Sequence, residues 1–168
     1  MMFNEYEFMD RFKAASQSGF IGIEFLFPYD YDKQEILENL KSNNLKQVLH
    51  DLPAGNWENG DRGNACQPNR VGEFQDGVGL AIEYARVLEC SNVTCLAGIP
   101  DNTSNPEELR TTFVDNLKFA ANELKKHDKA YFQQDSPIIS DKDYDIIKQE
   151  ILNLEKKYSY LKNKNSPS

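Results

Sequence analysis

The sequence has few cysteines, no excess of positive charge and no long apolar run. Its three cysteines, Cys66, Cys90 and Cys95, are odd in number and form no CxxC pair. This spacing predicts neither a disulfide framework nor a zinc site, so reduced thiols are expected. The 19 Lys and Arg residues against 27 Asp and Glu residues give a formal net charge of -8. DNA-binding surfaces carry clustered Lys and Arg, and the charge therefore argues against DNA binding.

Membrane and export signals are also missing from the sequence. No apolar stretch approaches the ~20 residues of a membrane-spanning helix. The first residues, MMFNEYEFMDRF, lack a basic region followed by an apolar core, so no secretory signal is predicted. We expect a cytoplasmic protein without membrane contact.

What the sequence does contain is an alternation of helical and strand-like segments. Amphipathic periodicity predicts helices over 4–17, 33–43, 70–89 and 107–127. Apolar runs predict strands over 20–27, 46–53 and 92–99, the first of them buried on both faces. Strands that alternate with helices indicate parallel strands joined by right-handed crossovers. The predicted fold class is α/β.

A polar, glycine-containing segment at 54–70 separates the second strand from the third helix. It is longer than most connections of this kind, and long loops are usually functional. Trp57 lies within it. Its indole is either a loop anchor, which is the commoner role, or a platform for a substrate.

Three segments carry a resemblance to a known family. SGFIGIEFLFPYDY at 18–31, LKQVLHDLPAGNWENGDRG at 45–63 and YARVLECSNVTCLAGI at 84–99 resemble hydroxypyruvate isomerase and the related 2-oxo-tetronate isomerases. The resemblance covers residues 1–126 and implies a TIM barrel of the xylose-isomerase-like kind.

A complete barrel of this type takes ~250 residues and eight strands. The resemblance therefore implies a partial TIM barrel of about three parallel strands, with the first strand and the second half missing. In that family the metal-binding carboxylates and the acid/base pair lie in the second half. The resemblance thus implies no catalytic residue and no metal ligand in this chain.

Three polar residues fall near the ends of the predicted strands. Glu24 lies in the strand predicted over 20–27, and His50 and Asp51 lie near the end of the strand predicted over 46–53. Ligands of TIM barrels bind at the carboxyl ends of the strands, so these three are candidate ligand-facing residues. The alternatives are an interior carboxylate held by hydrogen bonds and a hydrogen-bonded His near a loop.

The C-terminal part of the chain carries a second resemblance. HDKAYFQQDSPIISDKDYDIIKQEI at 127–151 shows paired aromatics and closely spaced Asp residues, followed by an apolar helical stripe. Residues 122–168 resemble the N-terminal NAD-binding subdomain of bacterial NAD-dependent DNA ligase. No K-x-D-G motif, which holds the adenylated lysine of that family, occurs in the chain.

This second resemblance implies a binding site for the nicotinamide mononucleotide half of NAD. The residues that match the family's contacts are Tyr131, Asp141, Tyr144 and Asp145. Aromatic faces and carboxylates both attract a planar cationic ring. Phe132 departs from the family, which has His or Tyr there. Alternatively, Tyr144 is a core residue that begins the apolar stripe, and Asp141 serves the start of a helix.

These patterns predict two parts, a truncated TIM-barrel isomerase-like domain at 1–126 and a helical fragment at 127–168. The preferred interpretation is a composite, truncated chain without catalytic activity of its own. One alternative is an isomerase that acts with a partner chain. Another is a module that binds NAD, nicotinamide mononucleotide or a protein. Sheet edges exposed in a partial barrel also predict self-association.

Overall fold

The fold is described from a computed structural model of the chain. The structure describes residues 2–100 and 103–132 and, beyond them, Gln149, Asn153, Lys156 and Lys157. The side chains of 127–132 are outside this description. The chain divides into two compact units, Met1–Lys126 and His127–Ser168.

The first unit alternates helices with strands. Its helices are α1 (Arg11–Gln17), α2 (Lys33–Ser42) and α3 (Val71–Val87), and α4 (Pro106–Phe132) begins within it. Its strands are β1 (Gly22–Glu24), β2 (Lys46–Asp51) and β3 (Val93–Thr94). Short 3-10 turns at Phe8–Asp10 and Pro68–Arg70 precede α1 and α3.

The three strands form one parallel sheet in the order β1-β2-β3. Gly22 is paired with Lys46 and Glu24 with Leu49, so the register shifts by one residue between Ile23 and Glu24. This bulge places Gln47 and His50 on the same side of β2, although they are three positions apart. The predicted α/β fold with three parallel strands is confirmed.

The core lies between the sheet and the helices as two clusters. Phe12 of α1, Ile36 and Leu40 of α2, and Phe25 after β1 belong to the first. The second joins Leu52 to α3 and α4 through Phe74, Val78, Ala81, Ile82, Phe113 and Ala120. Complete burial of one such side chain stabilises the fold by ~1.5–3 kcal/mol.

The loop that precedes α2 shows how local sequence positions an element. Asp32 accepts hydrogen bonds from the backbone N–H groups of Gln34 at 2.8 Å and Glu35 at 3.2 Å. An N-cap of this kind contributes ~0.5–2 kcal/mol. The cap explains why α2 begins at Lys33.

The strand predicted over 20–27 is shorter and less buried than expected. Only Gly22–Glu24 is strand, and Ile21 and Phe20 are 82% and 42% exposed. The expectation of burial on both faces is therefore wrong. The reason is that the helices pack on one face of the sheet, where Phe25 is buried. Of the strand predicted over 92–99, only Val93–Thr94 is strand in the structure.

Helix α4 is longer than the sequence predicted. It runs from Pro106 to Phe132 without interruption, so it passes the boundary between the two compact units. In the second unit Gln149, Asn153, Lys156 and Lys157 are helical and exposed. Within the described part of the chain, no helix is long and apolar enough to cross a membrane.

Candidate functional site

The carboxyl ends of β1 and β2 bring two carboxylates together. Ile23 and Phe25 pack into the helix-facing core. Because side chains alternate along a strand, Glu24 between them points to the opposite face. His50 and Leu52 both face the helices. Asp51 lies between them and therefore also points to the opposite face. Glu24 and Asp51 thus share the face of the sheet opposite the helices described for the first unit.

Asp51 is the more enclosed of the two carboxylates, with 7% of its surface exposed. Burial raises its pKa, a hydrogen bond from the Thr94 side chain acts in the opposite direction, and the charge of Glu24 raises it further. Thr94 is the β3 residue paired with Asp51. The end of the sheet therefore provides a carboxylate of increased basicity beside an exposed one.

His50 does not share this face. Its ring is 0% exposed and lies between the sheet and α3, where Nε2 donates to the Ala81 carbonyl at 3.3 Å. Nδ1 accepts from Gln47 Nε2 at 3.1 Å, and burial lowers the pKa of the ring. The contacts support the alternative of a hydrogen-bonded, neutral His that ties β2 to α3.

Tyr29 closes the helix side of the same strand end. Its hydroxyl donates to the backbone carbonyl of Asp51, and burial, together with nearby negative charge from Asp51, raises its pKa well above its usual range. Its ring packs edge-on against Tyr84 of α3, with 5.2 Å between centroids. The backbone carbonyl of Asp51 therefore accepts a hydrogen bond from Tyr29, whose hydroxyl stays protonated.

The loop at 52–67 follows β2 at this end of the sheet and is held by its own hydrogen bonds. Asn56 N–H donates to Asp61 Oδ2 at 2.7 Å, and Gly63 N–H donates to the Ala54 carbonyl at 3.0 Å. The Asn56 bond is the first cause of the lowered pKa of Asp61. The loop also joins the segment after β3, because Cys66 N–H donates to the Ala97 carbonyl at 2.8 Å.

Trp57 is partly exposed and has two ring contacts. Its centroid lies 5.1 Å from that of Phe27, which follows β1. The guanidinium carbon of Arg62 lies 4.0 Å from the indole centroid on its face. Packing against Phe27 supports the interpretation of Trp57 as a loop anchor, while its contact with Arg62 leaves a role in ligand binding open.

A charged network fixes the base of the loop. Arg70 lies 3.0 Å from Asp61 and 2.6 Å from Glu73, with its guanidinium forked onto the Glu73 carboxylate. These carboxylates, Glu73 first, raise the pKa of Arg70, and Arg70 lowers that of Glu73. Because Asp61 and Glu73 both pair with Arg70, its role is to hold the loop in place.

The described residues contain no group of three or more His, Cys, Asp and Glu side chains that could hold a metal ion. Glu24 and Asp51 are two carboxylates, fewer than the three protein ligands of a typical catalytic metal site. Their arrangement suits hydrogen bonds from hydroxyl groups of a ligand.

The side chains of the predicted nicotinamide contacts lie outside the described part of the chain. Tyr131 lies in the last turn of α4, and its side chain is outside the described residues. Asp141, Tyr144, Asp145 and the predicted stripe that begins at Tyr144 also lie outside them. Nicotinamide contact by these residues stays a prediction.

Sequence reasoning missed Arg62, Phe27 and Thr94 as neighbours of this strand end. Phe27 ends the strand predicted over 20–27 and Thr94 lies within the one predicted over 92–99, so both looked like ordinary strand residues. Arg62 lies five residues after Trp57, in a loop whose path the sequence does not reveal. The only signal in the sequence was that Trp57 and Arg62 lie in the same long polar segment.

Comparison with known proteins assigns this architecture. The model of the xylose isomerase-like TIM barrel matches residues 12–131. The chain belongs to this family. A second model, of the DNA ligase-like N-terminal NAD+-binding domain, matches residues 112–168. Both resemblances drawn from the sequence are confirmed.

Relatives within the barrel family agree on the region. A hydroxypyruvate isomerase from Escherichia coli is 50% identical over 128 residues, which are 76% of this chain and 50% of that protein. A 2-oxo-tetronate isomerase from Haemophilus influenzae is 39% identical over 127 residues, 76% of this chain and 49% of that protein. The chain thus spans about half the length of the curated relatives it matches.

A solved structure shows the same fold. The crystal structure of an AP endonuclease, family 2, from Brucella melitensis has a TM-score of 0.72 and 42% sequence identity. The match covers 75% of this chain and 48% of the other. The three-stranded sheet with its helices is therefore part of a xylose isomerase-like barrel, and Glu24 and Asp51 lie at the end of the strands where such barrels bind ligands.

Proposed function

We propose that this chain combines parts of two protein families and does not catalyse isomerisation by itself. The observation that carries the proposal is the overlap of the two family matches. The barrel match ends at 131 and the ligase-like match begins at 112, so both include 112–131. That overlap lies entirely within α4.

The geometry of α4 supports a join at this place. The helix is continuous from Pro106 to Phe132 and has no Gly or further Pro. Two amphipathic helical sequences can be joined without loss of backbone hydrogen bonds, because each N–H still bonds to a carbonyl four residues earlier. The boundary of the two compact units, between Lys126 and His127, falls within the same helix.

Two experiments test this proposal. Long sequencing reads across codons 120–132 are expected to join barrel-type and ligase-type sequence within one helix. The purified chain, given hydroxypyruvate with Mg²⁺ or Mn²⁺, is expected to form no aldehyde isomer by proton NMR. Turnover by the chain alone at a rate typical of enzymes, ~1–10³ per second, would contradict the proposal.

A second candidate is an isomerase that acts with a partner chain. The 50% identity to a hydroxypyruvate isomerase and the placement of Glu24 and Asp51 favour it. In this case the partner supplies further strands, and the substrate is a small hydroxy-keto acid whose hydroxyl groups donate hydrogen bonds to Glu24 and Asp51. A carboxylate of raised pKa is a better proton acceptor than an exposed one.

Co-expression with the C-terminal half of the Escherichia coli relative tests this candidate. Activity on hydroxypyruvate is expected in the mixture and in neither part alone. Glu24→Gln and Asp51→Asn are each expected to lower kcat/KM roughly tenfold or more, the loss of a charge-assisted hydrogen bond. Glu38→Gln, an exposed change on α2, is the matched control and should have no effect. No activity in the mixture would refute this candidate.

A third candidate is binding of nicotinamide mononucleotide, favoured by the ligase-like match over 112–168. Tyr131, Asp141, Tyr144 and Asp145 would supply aromatic and carboxylate contacts. Titration with the mononucleotide, followed by NMR, tests it. The absence of a saturable shift at millimolar ligand would remove the candidate.

We propose that the chain associates with a second copy of itself through the sheet. Among the described strands, β1 pairs with β2 alone, which leaves its other edge without a strand. Ile21 beside it is 82% exposed, and Val48 on the neighbouring strand is 41% exposed. Edges and apolar surface of this kind favour pairing between chains. Ile21→Lys should shift the chain towards monomer in sedimentation. A cooperative, monomeric unfolding transition of the unsubstituted chain would contradict the proposal.

A further inference from the structure

Arg62 lies in the loop at 52–67 and Arg70 lies at its base. The two arginines differ in the partners of their charge. Arg70 is held by the carboxylates of Asp61 and Glu73. Arg62, in contrast, forms no salt bridge among the described residues, although its charge is the last of the causes that lower the pKa of Asp61. Its two hydrogen bonds to described residues both use Nη1, which donates to the Trp57 carbonyl at 3.1 Å and the Asp61 carbonyl at 2.6 Å. Nε and Nη2 therefore have no described acceptor.

The Arg62 guanidinium is nevertheless held in one place. One of its faces lies on the Trp57 indole, with 4.0 Å between the guanidinium carbon and the ring centroid. The two carbonyls hold Nη1, and Trp57 in turn packs against Phe27. A cation fixed by an aromatic face loses little further freedom when it binds a ligand, so its donors are preorganised.

This guanidinium lies at the same end of the sheet as the two carboxylates. Phe27 follows Glu24 by three residues, and Asp51 N–H donates to the carbonyl of the adjacent Leu26 at 2.9 Å. Trp57 contacts Phe27 and carries Arg62. The loop thus brings a positive group to the strand end that carries the carboxylates of Glu24 and Asp51.

We propose that Arg62 binds the carboxylate of a small hydroxy acid at this strand end, with Trp57 as the platform that orients it. Free guanidinium donors form a planar fork that matches a carboxylate with two parallel hydrogen bonds. Glu24 and Asp51 accept from the hydroxyl groups of the same ligand and repel a second carboxylate. The inference rests on the proposed isomerase with a partner chain and names the residue that selects for the acid.

Trp57 makes the test direct, because it is the single tryptophan of the chain. Glycerate, which carries a carboxylate and two hydroxyls, is titrated against the full chain while tryptophan fluorescence and the indole N–H resonance are followed. Glycerol is the neutral control ligand. A saturable change with glycerate and none with glycerol is expected. Equal responses to both ligands, or no response to glycerate, would overturn the inference.

Variants locate the effect. Arg62→Gln is expected to weaken glycerate binding about tenfold or more, because the charge and the fork are lost together. Arg62→Lys keeps the charge without the fork and should give intermediate affinity. Arg86→Gln, an exposed change in the last turn of α3, should bind as the unsubstituted chain does. If Arg62→Gln fails to fold, unchanged affinity of Arg62→Lys is the result that refutes the paired hydrogen bonds.

The titration and the isomerase assay fail in different ways. Glycerate binding that depends on Arg62, without turnover in the co-expressed mixture, would support this site and refute the isomerase. Turnover with the same KM in Arg62→Gln and in the unsubstituted chain would support the isomerase and overturn this site. A higher KM in Arg62→Gln at unchanged kcat is the result expected when both are correct.

Discussion

Gly63 provides a quantitative test of how the loop at 52–67 is attached to the rest of the unit. Its φ is +100°, a conformation that L side chains rarely adopt. It also forms an isolated antiparallel bridge with Ala97. A Cβ at this position would overlap the backbone carbonyl of Leu96, which is fixed by the same bridge. Gly63→Ala therefore combines backbone strain with a steric clash that a side chain cannot relieve.

The expected loss of stability is the sum of these two effects. Left-handed backbone costs an ordinary residue ~1–2 kcal/mol. Overpacking against a fixed neighbour costs a further ~1–3 kcal/mol. Gly63→Ala should therefore lower the free energy of unfolding by ~2–5 kcal/mol, a large part of the ~5–15 kcal/mol typical of a domain.

Two other glycines separate strain from clash. Gly60 has a φ of +96° and nothing within 4 Å of an added Cβ, so Gly60→Ala should cost the strain alone, ~1–2 kcal/mol. Gly72, in α3, has neither a positive φ nor a neighbour within 4 Å. Gly72→Ala should stabilise the chain by ~0.5–1 kcal/mol.

Urea unfolding followed by Trp57 fluorescence and by circular dichroism measures all three variants. Hydrogen exchange of the Cys66 amide, which donates to the Ala97 carbonyl, reports on the attachment itself. Faster exchange is expected in Gly63→Ala. A loss of stability no larger than that of Gly60→Ala would refute the reasoning, because the contact with Leu96 would then contribute nothing.

Three further predictions follow from buried groups. Asn116 donates to the buried Ala65 carbonyl at 2.9 Å, so Asn116→Ala should lower stability in urea by ~1–3 kcal/mol, while the exposed Asn122→Ala should not. Burial lowers the pKa of His50 from its ordinary value of 6.5. The free energy of unfolding is therefore retained above pH 6.5 and falls as the pH drops towards the folded pKa. His50→Gln should remove this pH dependence in unfolding measured between pH 5 and 8. Equal slopes in both proteins would contradict the assignment. Burial raises the pKa of Cys95 to about 11, so iodoacetamide should label it more slowly at neutral pH in the folded chain than in urea, and equal rates would show that the thiol is open to solvent.

The class of fold and the relationship to two families could be predicted from the sequence. Alternating apolar runs and amphipathic segments predicted parallel strands, because local hydrophobic period is decided by neighbouring residues alone. The segments around Glu24 and Asp51 carried the isomerase resemblance, and the matches to curated relatives confirm it. Helix limits and strand lengths were less accurate, since they depend on partners distant in the chain. The strand predicted over 20–27, for example, is only Gly22–Glu24 in the structure, and its pairing with β2 contains a bulge.

Which polar residues share a surface depends on the tertiary structure. His50 and Asp51 are adjacent in sequence, yet one is buried against α3 and the other faces Glu24. Alternation along the strand sends neighbours to opposite faces, and the bulge shifts that alternation by one residue in a way that no local pattern records. The same holds for Arg62, whose place on Trp57 depends on the path of a 16-residue connection from 52 to 67 and on its bridge to Ala97. Loop paths are decided by distant contacts, and the candidate carboxylate site became visible only when those contacts were in place.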